Sequence, residues 1–489
     1  MKKAHISIDL KSLAKQTMLE HGLLPDYPLS VAREVDQMRL PTDFDLTKIK
    51  DLRHLDWFSL DNHDSKDLDQ LTYAEKLPDN RYRIYIAIAD VDSLVKKGSA
   101  VDHYAQANTT SVYTPTKIFP MLPEKLSTNL TSLNENEDRI SITVEADIAE
   151  TGELADFRIY RALVNNKAKL AYNGVSDWLD EKGPMPERIK NNPKIQEQIR
   201  LQDLIAQILR KKRHNEGALT LMTIEPYAVL ENEKIVDLKP LLRNRGRDLI
   251  EDYMIVANCS IALFLKKSLK PSFRRVVRTP KRWDRIVEIA KQYGFDLPSE
   301  PDAKDLDKFL QNRIETDPDH FPDLSLTIIK LLGNGEYIVE YPGQPPIGHF
   351  GLAVKEYTHS TAPNRRYPDL ITQRILKSIF IHIQEPYSNA ELEHLAQHCT
   401  QKEDDAEKVE RKMKKSAACV LLSPKINQQF DGLVTGASEK GTWVRVLEPP
   451  VEGKLIRGFE HVDVGDRIRV KLVHVDVEKG FIDFVRVEK

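Results

Sequence analysis

Between residues 430 and 488 the chain reads FDGLVTGA, GTWVRVLE, EGKLIRGF, DRIRVKLVHVDV and GFIDFVRVE, five short strand-like segments joined through glycine-containing turns. Apolar and polar residues alternate along them, the period of a strand with one buried face. Five such strands in about 60 residues, turning at glycines, imply a small Greek-key barrel of the OB type over residues 425–489. Closure leaves no sheet edge to be capped by another part of the chain. Phe430, Trp443, Phe459 and His461 then offer rings to stack on nucleobases, apart from those that the barrel core consumes.

The chain has 489 residues, so roughly two to four domains are expected. Residues 1–50 carry two helical patterns, LKSLAKQTMLEHGLL and SVAREVDQM, separated by Pro25 and Pro28, as in a helix-turn-helix module. Residues 51–424 mix strand-like runs (LDWFSLD, LTYAEKL, RYRIYIAIADV, ISITVEADI, FRIYRALV) with helical patterns at 196–213 and 247–268. Ser388 and Glu391 have the spacing of a capping box that opens another long helix. The predicted class is therefore α+β: a small helical module, a large mixed domain and an all-β barrel.

Composition narrows the function classes. With 40% hydrophobic and 30% charged residues, the chain is neither disordered nor membrane-embedded. It contains no apolar run long enough to span a bilayer, and MKKAHISIDL lacks the apolar stretch of a secretion signal, so a cytoplasmic location is expected. Cys259, Cys399 and Cys419 are too scattered for a disulfide framework or a cysteine zinc site. A net charge of −3 announces no nucleic-acid partner by itself. Residues 266–285, however, hold nine Lys or Arg against the single acid Asp284, with Phe273 and Trp283 between them. That mixture suits phosphates and bases, and equally suits a solvated helix face or loop.

The chemistry concentrates in DNHDSKDLDQL, where Asp61, Asp64, Asp67 and Asp69 lie between two strand-like runs. Crowded carboxylates repel and raise one another's pKa unless a cation neutralises them. Hard oxygen ligands favour Mg2+ or Mn2+. A calcium loop of the EF-hand kind is excluded, because Lys66 and Thr72 stand where glycine and glutamate are required. The competing reading is an acidic turn whose side chains satisfy backbone donors. Residues 349–370, HFGLAVKEYTHSTAPNRRYPDL, add Arg365 and Arg366 beside Tyr367 and Asp369. Neighbouring guanidiniums can clamp a phosphate and offset the charge that builds on it during attack. An Arg366–Asp369 pair that merely pins the loop is the alternative.

With these residues in view, the sequence resembles the ribonuclease II / ribonuclease R (RNB) family over about residues 50–425, and its barrel resembles that family's S1 domain. The blocks that carry the likeness are YIAIADV at 85–91, MLPEKLS at 121–127, KAKLAYNGVSDWL at 167–179, IEDYMIVAN at 250–258 and HFGLAVKEYT at 349–358. The resemblance implies a 3′→5′ exoribonuclease that degrades single-stranded RNA processively to nucleoside 5′-monophosphates by two-metal catalysis, acting as a monomer. On the matching positions Asp61, Asp67 and Asp69 hold metal, with Asp69 and Arg365 catalytic. Tyr113 and Tyr172 stack on terminal bases, Arg366 contacts RNA, and Glu251 and Glu410 anchor the last nucleotides.

Departures from the family pattern carry consequences. Gln70 replaces the family's last metal-binding aspartate, and its carbonyl can coordinate a hard cation without bringing charge. The loop reads TAPNRRY where the family has TSPIRRY, changing Ala362 and Asn364. Leu221 stands where an aromatic would stack on the RNA end. The first 50 residues are too short for a pair of cold-shock barrels, leaving the helical module to guide RNA. The rival expectation is a catalytically weakened RNA binder; a DNA-directed regulator using the N-terminal helices has less behind it.

Overall fold

A computed structural model describes residues 9–40, 47–222, 225–231, 234–241, 243–318, 320–439, 441–446, 448–462 and 466–487. The first eight residues of the N-terminal module, with most of MKKAHISIDL, and residues 41–46 lie outside the described residues. Two helices open the chain, α1 (Leu10–Glu20) and α2 (Leu29–Gln37). They dock in different places. Leu13, Ala14 and Met18 of α1 share a core with Val409 and Met413, whereas Val31 and Val35 of α2 join the main core.

That main core is built on a seven-stranded sheet of β1 (Lys50–Asp51), β2 (Phe58–Asp61), β3 (Gln70–Lys76), β4 (Tyr82–Ala89), β7 (Asp138–Ile148), β8 (Leu154–Asn165) and β9 (Ala168–Ala171). The small ribbon β5 (Val112–Tyr113) and β6 (Ile118–Phe119) lies apart from it. Strand order is β1-β8-β7-β4-β3-β2-β9, antiparallel except for the outer pairs β1–β8 and β2–β9. Near-continuous apolar runs such as Ile84, Ile86, Ala87, Ile88 and Ala89 are buried, as befits strands covered on both faces. Only Asn166 and Lys167 separate β8 from β9, although four strands stand between them in the sheet. So short a link spans roughly 10 Å, against about 24 Å across five flat interstrand steps, so the sheet is strongly curled. Buried Asn166 fastens that closure, its side-chain amide donating to Ser59 Oγ (3.1 Å) and the Leu133 carbonyl (3.0 Å).

Helices α3 (Ala100–Asn108), α4 (Tyr172–Leu179), α5 (Glu187–Lys190), α6 (Pro193–Asn215) and α7 (Arg245–Lys267) cover this sheet, with a hairpin of β10 (Glu225–Glu231) and β11 (Lys234–Leu241) between the last two. The ribbon β12 (Ser272–Val276) and β13 (Glu336–Glu340) brackets a helical insertion, α8 (Trp283–Gln292), α9 (Ala303–Thr316) and α10 (Phe321–Leu332), which has its own core around Trp283, Phe309 and Phe321. Helix α11 (Tyr367–Phe380) is buried on nearly every face, and its charges are matched: Arg374 pairs with Asp102 and Lys377 with Asp90, each at 2.8 Å.

The basic segment at 266–285 is mostly internal structure. Phe273 and Trp283 are core residues rather than stacking platforms. Arg274 is buried between Glu340 and Glu356, both at 2.9 Å, while Arg275 pairs with Glu403, Lys270 with Glu385 and Arg278 with Glu336. Six of its nine basic residues are ion-paired, while Lys267, Lys281 and Arg282 are exposed, so part of the run is a solvated face.

Ser388 Oγ accepts from the Glu391 amide at the start of α12 (Asn389–Leu422), which leads into the barrel. Strands β14 (Gln429–Ser438), β15 (Gly441–Val446), β16 (Val451–Arg457), β17 (Arg467–Asp476) and β18 (Phe481–Arg486) close in the order β14-β15-β16-β18-β17 around Val434, Val444, Leu455, Val470 and Phe484. Gly453 lets β16 and β18 approach, since a Cβ there would lie 2.5 Å from the Ile482 carbonyl oxygen. Among the described residues no helix is long and apolar enough to cross a membrane, and the three cysteines form no disulfide.

Candidate active site

Strand β2 ends at Asp61 and β3 begins at Gln70, so the aspartate loop hangs from two neighbouring strand ends. Its second half is held from both sides. The Leu68 amide donates to Ser132 Oγ (3.0 Å), the Leu68 carbonyl accepts from Leu133 (2.9 Å), and the Asp69 carbonyl accepts from Ala89 (2.9 Å). Because side chains alternate along extended backbone, Leu68 enters the core while Asp67 and Asp69 share the other side. The first half is tied by side chains: Arg247 Nη2 donates to Asn62 Oδ1 (2.5 Å), and Lys169 to the Ser65 carbonyl. Asp64 is exposed.

Asp69 is 2% exposed. One carboxylate oxygen accepts from the Asn364 amide (3.0 Å); the other lies 3.4 Å from Arg365 Nε and has no hydrogen bond. Burial pushes its pKa up to about 7, with the Asp67 charge adding to the rise and Arg365 opposing it. Asp67 is raised as well, first by burial and further by Asp61. Three carboxylates thus repel one another across the loop, although among the described residues no three acidic, His or Cys side chains converge as a ready-made metal cage. The hard oxygen donors, the unbonded Asp69 oxygen and the mutual repulsion all fit a divalent cation, which would relieve each of them. Gln70 is buried at the start of β3 and adds no charge.

The arginine loop is rigid for reasons visible in its own residues. Thr361, Ala362, Pro363 and Asn364 are buried. Asn364 Oδ1 accepts from Thr131 Oγ1 (2.5 Å), fixing the amide that reaches Asp69. Flanking backbone bonds from Ser111 to the Arg365 carbonyl and from Tyr367 to the Thr109 carbonyl set the turn. The adjacent arginines then part company. Arg365 is exposed and faces Asp69, whereas Arg366 donates to Asp369 Oδ1 (2.8 Å), which also accepts from the Ala362 amide. Arg366 therefore pins the loop, and only Arg365 is aimed at the aspartates.

Tyr113 is partly exposed, with its hydroxyl pushed up to about 12 by desolvation and by Asp67 and Asp69. Its amide donates to Glu410 on α12 (2.8 Å), so Glu410 fixes the strand that presents Tyr113. Tyr172 is the first residue of α4, and β9 pairs with β2 so that Ala171 lies opposite Asp61; this register puts the ring beside the aspartates. The Arg247 guanidinium stacks 4.7 Å from the Tyr172 ring centre. Glu251 lies one turn along α7 and pairs with Arg243 (2.7 Å). Leu221 packs against the core of the helical insertion. On the barrel, Phe430 packs edge-on against core Phe484, Trp443 is half-buried, and Phe459 and His461 are exposed; Phe481, which the sequence reading passed over, is exposed too. Arg247 was also passed over, and Asn364 was noted only as a departure in the loop, not as a partner of Asp69. Arg247 stands four residues before Glu251, hence on the same helix face, a spacing open to notice.

Residues 49–382 match the RNB domain, and residues 428–487 match the RNase II-type exonuclease C-terminal S1 domain. Curated relatives include Ribonuclease R of Vibrio cholerae serotype O1, 29% identical over 96% of this chain, and that of Thermotoga maritima, 30% identical over 99%. The chain spans 60% of the first and 71% of the second. Among solved structures, Mycoplasma genitalium RNase R in complex with ribose-methylated single-stranded RNA superposes with a TM-score of 0.87 at 23% identity, covering 98% of this chain and 78% of that one. The curled sheet with its aspartate loop and the five-stranded barrel are thus a shared architecture, and the chain belongs to the RNB family of ribonuclease II- and ribonuclease R-like proteins.

Proposed function

We propose that the chain is a 3′→5′ exoribonuclease that hydrolyses single-stranded RNA processively to nucleoside 5′-monophosphates. The observation that carries this reading is buried Asp69, with one oxygen on the Asn364 amide and the other unbonded beside Arg365. Such a carboxylate is prepared for a cation and for a phosphate brought against the guanidinium. Asp61, Asp67 and Asp69, with the Gln70 carbonyl as a neutral donor, would hold Mg2+ or Mn2+, which would supply Lewis acidity for a two-cation displacement. Arg365 meets the scissile phosphate, Tyr113 and Tyr172 flank the terminal bases, and Glu251 and Glu410 anchor the last nucleotides. Arg366 serves the RNA by keeping the Arg365 loop in place. Exposed Phe459 and Phe481 let the barrel hold the incoming strand by stacking. The chain acts in this reading as a monomer, and its unpaired cysteines suit the reducing cytoplasm.

The test is incubation of the purified chain with 5′-labelled poly(A) and Mg2+ or Mn2+, beside Asp69→Asn. A metal-dependent ladder or short end product, lost in the variant, is expected. Gln70, a neutral donor where the family has a carboxylate, favours a second reading, a weakened enzyme that acts mainly by binding RNA. RNA shifted in a gel yet intact after incubation would establish that reading and overturn the first.

A further inference from the structure

The N-terminal turn of α7 meets the N-terminal turn of α4 at unusually short range. Gly246 makes this possible, because a Cβ there would lie 3.0 Å from Ser176 Oγ and 3.1 Å from the Tyr172 carbonyl oxygen. The Gly246 amide donates to Ser176 Oγ (2.8 Å), which donates in turn to that carbonyl (2.7 Å). The next residue, Arg247, is thereby laid over the Tyr172 ring at 4.7 Å, and its Nη2 bonds Asn62 in the aspartate loop. Its Nε–H is buried and has no acceptor. Other guanidiniums among the described residues, that of Arg366 included, also hold a buried nitrogen without an acceptor, so what singles out Arg247 is its seat on the Tyr172 ring together with its bond into the aspartate loop. Tyr172 feels both Asp61 and Arg365, so its ring and the guanidinium stacked on it lie beside the aspartate site.

We propose that Arg247 is a further RNA-contacting residue. It backs the Tyr172 ring for the terminal base, and its positive charge attracts a phosphate near the 3′ end. This rests on the exoribonuclease reading of the same site. A planar fork can stack through its face while donating through its edge, which a lysine cannot. Its bond to Asn62 also joins the base platform to the loop that carries the aspartates.

The experiment uses the full chain in EDTA, so that RNA is bound without being cut, with oligo(A) bearing 2-aminopurine at the 3′ end. Affinity is measured across a salt series together with fluorescence quenching at saturation. Arg247→Met is expected to weaken binding several-fold, to reduce the steepness of log Kd against log salt by about 0.7, one phosphate contact on a single strand, and to diminish quenching. Arg247→Lys keeps the salt slope and loses quenching. Asn62→Ala, which frees the loop without touching the stack, keeps both, and thermal unfolding of each variant verifies that it is folded. An Arg247→Met slope and quench equal to the parent's would overturn the inference, as would an Asn62→Ala variant that reproduces the Arg247→Met losses. Failure of the parent chain to bind the oligomer would overturn the exoribonuclease reading itself.

Discussion

Removing the charge of Asp69 should stabilise the metal-free protein, by an amount that grows with pH. An ordinary aspartate titrates near 3.8, and burial raises Asp69 to about 7. The native chain therefore holds this proton more tightly than the unfolded chain does. Its advantage is complete below about pH 4 and is lost as pH rises through about 7, since there the native state must ionise a buried acid. The difference between the two pKa values corresponds to about 4 kcal/mol, at roughly 1.4 kcal/mol per pH unit. Asn is close to isosteric and carries no charge, so Asp69→Asn escapes the penalty. In EDTA its melting temperature should exceed the parent's by several degrees at pH 8, given about 2 °C per kcal/mol in a unit this large, and by about a third as much at pH 5, where the native carboxyl still holds its proton and the unfolded one has largely lost it. Saturating Mn2+ should remove or reverse the gap, because the cation stabilises only the parent's ionised carboxylate. Differential scanning fluorimetry of the two proteins, with and without metal, reads this directly. A parent-to-variant difference in EDTA that stays flat between pH 5 and pH 8 would refute the assignment of the high pKa to burial of Asp69.

Other outcomes follow from the same geometry. Arg274→Met leaves Glu340 and Glu356 buried without their shared cation, and it should lower stability by about 3–5 kcal/mol as measured by urea unfolding. Phe459→Ala, at an exposed ring, should weaken binding of single-stranded RNA by about 1–3 kcal/mol in a gel-shift or fluorescence titration while leaving the melting temperature unchanged. Gln70→Asp should tighten Mn2+ binding in isothermal titration calorimetry, and unchanged affinity would mean that another group already compensates for the missing charge. Gly453→Ala should destabilise the barrel by about 1–3 kcal/mol, visible as earlier loss of near-ultraviolet dichroism, because its methyl would meet the Ile482 carbonyl and the Phe484 ring.

How much of this could be read in advance depended on whether the signal was local. The five barrel strands, the helix capped at Ser388 and the strands around YIAIADV follow from periodicity and turn chemistry, which neighbouring residues determine. The aspartates were legible as chemistry because four acids in nine residues need an explanation wherever they fold. The Arg366–Asp369 pair could be offered from sequence because its members stand three residues apart, whereas the approach of Arg365 to Asp69 joins distant segments and needs the fold. Phe273 and Trp283 misled for a related reason: aromatic residues among basic ones look like a nucleic-acid face until burial is known. The spacing of Arg247 from Glu251 could be noticed, but its stacking on Tyr172 rests on a close approach between α4 and α7 that no short window records.

Helix α12 is 34 residues long, roughly 50 Å at 1.5 Å per residue. One end is seated in the barrel core through Ala418, Cys419 and Leu422, and the middle holds the Tyr113 amide through Glu410. A helix seated in the barrel at one end and bonded to the Tyr113 strand farther along ties the two together, so on the exoribonuclease reading the barrel that receives the strand and the tyrosine that meets its end are held at a fixed spacing by one element.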